Sequence, residues 1–204
     1  RPNVWPWECG ANVSAKEEGH VHAPGQCDLQ FWFVVANVQQ WVDNAAHVLR
    51  TLDPAHAQTF ANNAATYTAD LAELDAYAAA QLGQIPQEKR FMVTNHDALG
   101  YFAKAYDLTL IGTVIPGGST LAEPSANDLT GLIEKMERHH ICTIFTETSV
   151  SDTLAQTVAG ELSSCPQVNV VSLYTGSIGA ADSGTESYID MFRANVDAVA
   201  AGLR

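Results

Sequence analysis

From Arg90 to the end of the chain, short apolar runs alternate with longer stretches whose apolar residues recur every three or four positions. No other feature restricts the possible folds so tightly. The runs Arg90 to Thr94, Leu108 to Thr113, Ile141 to Thr146 and Val168 to Leu173 read as strands. The stretches Asp97 to Tyr106, Asn127 to Arg138, Ser151 to Leu162 and Thr185 to Ala201 read as helices. Strands that are apolar throughout, rather than at every second residue, are covered on both faces. Separated by amphipathic helices, they predict a parallel four-stranded sheet with flanking helices, an α/β lobe over residues 86–204. Ligand sites in such sheets lie at the carboxyl ends of the strands.

Upstream the pattern differs. Pro2, Pro6, Gly10, Gly19, Pro24 and Gly25 punctuate residues 1–28, and Asp28 to Trp32 reads as an extended exit from that loop. Val38, Trp41, Val42, Ala45, Val48 and Leu49 then form a helical face between Ala36 and Leu52. Asp53 followed by Pro54 reads as a cap and first position of a second helix. Its stripe runs Phe60, Tyr67, Leu71, Leu74, Ala78, Leu82 and stops near Gly83 or Pro86. A helix this long predicts an element that runs the length of the molecule. The chain thus divides into residues 1–35, a loop too short for a core of its own, a helical segment over 36–85, and the lobe over 86–204.

Composition narrows the function. Hydrophobic residues make up 47% of the chain and charged residues 16%, which marks a folded globular protein. A formal charge of -13 leaves no basic surface for nucleic acid and disfavours an anionic membrane surface. No apolar run reaches the length of a membrane span. The first methionine is Met92, which reads as a processed product, a fragment or an incomplete chain. The four cysteines fall into two sets, Cys9 with Cys27 and Cys142 with Cys165, without zinc-finger spacing. Two disulfides within those sets would place the protein in an oxidising compartment; buried thiols are the other reading.

His96 follows the first predicted strand, and Asp97 is placed to cap the helix behind it. A neutral imidazole there suits zinc, and manganese less strongly; a hydrogen-bonding group in a turn is the plainer reading. Glu147 ends the third strand at the same rim, where it can ligate a cation, orient His96 or accept backbone N–H groups, the last two together being preferred. Thr175 and Ser177 offer hydroxyls, which are poor zinc ligands. Glu18, His20 and His22 form a patch able to clasp a metal loosely, or a solvated loop. His139 and His140 are explained by the end of a helix. Nucleophile-elbow, phosphate-loop and zinc-protease motifs are absent, and Gly112 to Ser119 matches no dinucleotide fingerprint. These absences argue against an enzyme.

Together these residues resemble a known family. VTNHDALGYFAKAYDLTLIG (93–112), STLAEPSANDLTGLIEKM, IFTETSVSD and ESYIDMFRANVDAV resemble the zinc- and manganese-binding substrate-binding proteins of bacterial ABC importers. CDLQFWFVVANVQQWVDNAAHVLRTLDPAHAQTFANNAATY resembles the family's entry into its long interdomain helix, and the resemblance spans about residues 19–204. It implies two α/β lobes joined by a rigid helix, with one metal ion between them, this chain carrying the C-terminal lobe and lacking most of the other. It also implies a ligand set. His96 stands at one of the family's ligand positions. Gln30 stands where a second histidine is expected, and Gly176 where an aspartate is expected, glycine there also permitting a left-handed backbone.

An amide and a bare α-carbon in place of two ligands predict a degenerate site. The resemblance implies an extracytoplasmic carrier of Zn2+ or Mn2+, periplasmic or outside the cell and tethered to the cytoplasmic membrane's outer face. Its partner would be the importer's membrane subunit. The other expectation is a repurposed structural or interaction subunit that binds no metal and docks on another extracytoplasmic protein, with Trp5, Trp7, Phe31, Trp32, Phe33 and Trp41 as candidate contacts.

Overall fold

The computed structural model describes residues 30–116 and 123–204. The expectations placed on Trp5, Trp7, Cys9, Glu18, His20, His22, Cys27 and the glycines at 117 and 118 lie outside those residues.

Four strands, β1 (Phe91–Thr94), β2 (Thr109–Thr113), β3 (Thr143–Glu147) and β4 (Asn169–Leu173), pair in parallel in the order β2-β1-β3-β4. The sheet separates two cores. On one face Met92, Phe145 and Leu173 meet Phe102, Phe192, Val196, Leu71 and Leu74. On the other face Val93 and Ile144 meet Leu132, Met136, Ala155 and Val158. Adjacent residues of one strand therefore enter opposite cores, and for that reason the strand sequences carry no polar alternation.

The helices follow. α1 (Val35–Leu52) and α2 (Ala57–Leu82) form an antiparallel pair, joined by a 3₁₀ turn over Pro54–His56. α2 has 26 residues, so at about 1.5 Å per residue it extends about 39 Å. Its second half buries Leu71, Leu74, Ala78 and Leu82 against the lobe, while its first half buries no residue fully. α3 (Gly100–Ala105), α4 (Ala126–His139), α5 (Thr153–Glu161) and α6 (Tyr188–Leu203) complete the lobe. A disulfide joins Cys142, which precedes β3, to Cys165, which precedes β4, as the sequence pairing anticipated.

Several local expectations are corrected. Phe31–Phe33 is a 3₁₀ turn and not extended, because Phe33 and Val34 donate back to Gln30 and Phe31. Asp53 makes no side-chain cap; its carboxylate lies 2.7 Å from His56 Nδ1 instead. The helix after β1 starts at Gly100 with Leu99 at its cap position, so Asp97 is not that cap. Residues 94 and 95 are bonded outward to neighbouring segments instead, which delays the helix: Asn95 N–H donates to Phe145 O at 2.8 Å, and Ile115 N–H to Asn95 O at 2.7 Å.

Candidate metal centre

The carboxyl ends of β1, β3 and β4 carry a dense group of buried polar residues: Thr94, Asn95, His96, Asp97, Glu147 and Thr175. Each is placed by the sheet. His96 lies two residues past β1, where Thr94 Oγ1 donates to its carbonyl at 2.8 Å. Glu147 is the last residue of β3, and Thr148 N–H donates to Leu173 O at 3.0 Å to hold the β3 end against β4. Thr175 follows β4 at a turn braced by Asn195 of α6, which accepts from Tyr174 N–H at 2.9 Å and donates to Tyr174 O at 2.7 Å.

These side chains form one chain of hydrogen bonds. His96 Nδ1 meets Glu147 Oε1, and Thr175 Oγ1 donates to Glu147 Oε2. Opposite a carboxylate, Nδ1 is the nitrogen that carries the proton. In a neutral imidazole that leaves Nε2 with the lone pair that can ligate a cation, the arrangement by which a carboxylate orients a metal-binding histidine. Glu147 thus holds His96, as the sequence suggested. Its other carboxylate oxygen takes the Thr175 hydroxyl; the expected backbone N–H role falls to its carbonyl, which accepts from Val150 N–H at 3.3 Å.

Gln30 and Gly176 stand next to segments that are joined to this rim. Gln30 directly precedes the Phe31–Phe33 turn and is half-buried. The indole of Trp32 in that turn donates to Thr175 O at 3.1 Å, and Tyr188 Oη donates to Trp32 O at 2.7 Å. Gly176 follows Thr175 and is exposed. The three positions singled out by resemblance are therefore linked through Trp32, Thr175 and Glu147. Gly176 does not use the left-handed freedom expected of it; among the described glycines only Gly184 has positive φ. A Cβ at 176 would meet nothing closer than Ser149 Oγ at 4.0 Å, so the site of the absent side chain is open.

As a coordination sphere the arrangement is sparse. No group of three or more His, Cys, Asp or Glu side chains is positioned to hold a metal among the described residues. Zinc ordinarily takes about four such ligands, and one imidazole with a neutral amide supplies neither the count nor the charge. Sequence reasoning weighed Thr175 only as a poor ligand and Trp32 only as a partner contact, and missed Asn195 altogether. The Trp32 contact joins residues 143 apart and the Thr175 contact residues 28 apart, and no local pattern reports either. The side chain of Asn95 is fully buried with neither Oδ1 nor Nδ2 hydrogen-bonded.

A four-stranded parallel sheet flanked by helices, with a long helix beside it, has the architecture of one lobe of a two-lobed solute-binding protein. The sequence profile described as "Zinc-uptake complex component A periplasmic" matches residues 3–202, and the chain belongs to that family. It is 30% identical over 177 residues to the manganese-binding lipoprotein MntA of Halalkalibacterium halodurans, covering 86% of this chain and 57% of that protein. The periplasmic zinc-binding protein TroA of Treponema pallidum superposes with a TM-score of 0.77 at 28% identity, covering 86% of this chain and 64% of that one. The laminin-binding protein Lmb of Streptococcus agalactiae, described as bifunctional with adhesin and metal-transporting activity, superposes with a TM-score of 0.74 at 25% identity, covering 87% and 64%. The chain thus spans little more than half the length of the curated relatives it matches, at 56 to 58% for the first three.

Proposed function

We propose that this protein is an extracytoplasmic substrate-binding protein, periplasmic or extracellular, that carries Zn2+ or Mn2+ to the membrane subunit of an ABC importer through a degenerate site. On this reading residues 86–204 form the C-terminal α/β lobe and residues 36–85 the helical segment with its long interdomain backbone helix. One observation carries the reading: the buried His96–Glu147–Thr175 relay engages Nδ1 of the imidazole, the arrangement by which a carboxylate orients a metal-binding histidine. Gln30 and Gly176 occupy the positions of further ligands and explain why the site is weakened.

The test is titration calorimetry with zinc and with manganese on the purified chain, together with elemental analysis. Expected is a single saturable site that His96→Ala abolishes and Glu147→Gln weakens about 10- to 100-fold. Absence of saturable binding by the wild-type chain overturns the reading.

The substitutions at Gln30 and Gly176 favour a second reading, a metal-free interaction subunit whose partner is another extracytoplasmic protein. It predicts the same null titration together with a copurifying protein that survives His96→Ala.

A further inference from the structure

Of the residues that α6 buries, Asn195 alone is polar; Met191, Phe192, Val196 and Val199 around it are apolar. Asparagine is a poorer helix former than leucine or alanine, and a buried amide is costly unless both its ends are bonded. Here both ends are bonded, and to the same residue. Oδ1 accepts from Tyr174 N–H at 2.9 Å, and Nδ2 donates to Tyr174 O at 2.7 Å. An amide can meet a backbone N–H and C=O together, whereas a carboxylate lacks the donor and a single hydroxyl cannot span the two. Tyr174 directly follows β4, whose last carbonyl, Leu173 O, is taken by Thr148 N–H. Asn195 thus does for Tyr174 what a neighbouring strand would do, one residue before Thr175.

We infer that Asn195 is a positioning residue for His96, acting through Tyr174, Thr175 and Glu147; the inference rests on the reading of His96 as a metal ligand. No hydrogen bond joins Asn195 to His96 directly. Thr175 is gripped on both sides: Asn195 holds the residue before it, and Trp32 Nε1–H donates to Thr175 O at 3.1 Å. With that backbone fixed, the Thr175 hydroxyl addresses Glu147 Oε2, and Glu147 Oε1 is turned to His96 Nδ1. The torsion that rotates a glutamate's carboxylate is broad, so the carboxylate does not choose this orientation unaided. Asn195, Thr175, Glu147 and His96 are all buried, which leaves little water to replace a lost partner. In a neutral imidazole the proton held at Nδ1 leaves Nε2 able to ligate. A ring released by Glu147 can carry its proton on Nε2 instead, where it blocks ligation.

Nitrogen-15 spectra of the histidine-labelled, metal-free chain test this, taken well above the ordinary imidazole value of about 6.5 so that the ring is neutral. Long-range proton–nitrogen correlations show which ring nitrogen carries the proton, and His96→Gln assigns the signal. Wild type is expected to show His96 in the Nδ1–H form alone. Asn195→Leu should bring the Nε2–H form to about a third of the population or more. Asn195→Ser, which is smaller and cannot bond both Tyr174 groups, should do the same and covers the case in which Asn195→Leu does not fold. Thr175→Val cuts the path one step later, so its effect and that of Asn195→Leu should not add. Val199→Ala opens a cavity in the same helix without touching the turn, and should leave the spectrum as in wild type. An unmoved tautomer in folded Asn195→Leu or Asn195→Ser overturns the proposal. So does an equal change in Val199→Ala, or an Nε2–H form in wild type. No metal enters the measurement, so a chain that binds none overturns the carrier reading and leaves this result standing.

Discussion

Asn95 and His96 are sequence neighbours treated in opposite ways by the fold. His96 is satisfied by Glu147, whose second oxygen is in turn taken by Thr175. Asn95 has both backbone groups bonded, to Phe145 and Ile115, and a fully buried amide with no partner. An unsatisfied buried amide costs roughly 1–3 kcal/mol. Asn95→Leu, similar in shape and free of polar atoms, should therefore raise stability by about 1 kcal/mol, read as a higher urea midpoint at unchanged slope. A lower midpoint would mean that the amide does find a partner in solution. His140 shows a different local compromise: it ends α4 at φ 52°, a conformation usually left to glycine or asparagine, and its N–H still reaches the Glu137 and Met136 carbonyls.

Among the elements, the strands and the long helix were legible because a parallel sheet between two apolar layers demands continuous apolar runs, and Met92 and Val93 entering opposite cores show the rule at work. Where tertiary bonds outweigh local preference, legibility fails. Asp97 looks like a cap, yet the bonds to Asn95 hold the turn and the helix waits for Gly100. The α1 stripe reads as core by its period, but periodicity reports a face and not what lies on it. His96 and Glu147 could be placed at one rim, whereas Thr175 and Trp32 join them only through contacts distant in sequence. Two predictions belong at this scale. The Cys142–Cys165 bond closes a separation of 23 residues, so Cys142→Ser/Cys165→Ser should lower stability by about 3 kcal/mol in chemical denaturation. At the start of α4, hydrogen bonds from the Ser125 hydroxyl and backbone hold the Asp128 carboxyl below its ordinary value of 3.8. A depressed value stabilises the fold above the ordinary range and loses that contribution as pH falls through the folded one. Urea midpoints of wild type and Asp128→Asn should therefore differ at pH 7 and converge in acid below about 3.8.

For the molecule as a whole, the question is whether positions 30 and 176 can accept donor side chains beside the His96 that Glu147 holds. Sterically, position 176 is open: a side chain there would find Ser149 Oγ, 4.0 Å from its Cβ, as its nearest described neighbour, and the backbone needs no left-handed angle. Gln30 stands at the entrance to a turn that Trp32 fastens to Thr175 and Tyr188 fastens to Trp32. The described residues thus form a frame with room for a donor at 176 and a fastened turn after Gln30. Gln30→His/Gly176→Asp supplies an imidazole and a carboxylate to that frame, raising the protein donors around His96 from one imidazole toward the set zinc prefers. Zinc affinity should rise at least 100-fold over wild type in calorimetry, with each single change giving less than the pair. Bound zinc should also raise the melting temperature in step with its concentration, as any ligand of the native state does. Adding His96→Ala should remove both gains, because the two new donors then lack the imidazole that Glu147 orients. A gain that survives His96→Ala would place the metal elsewhere and separate the frame from the function.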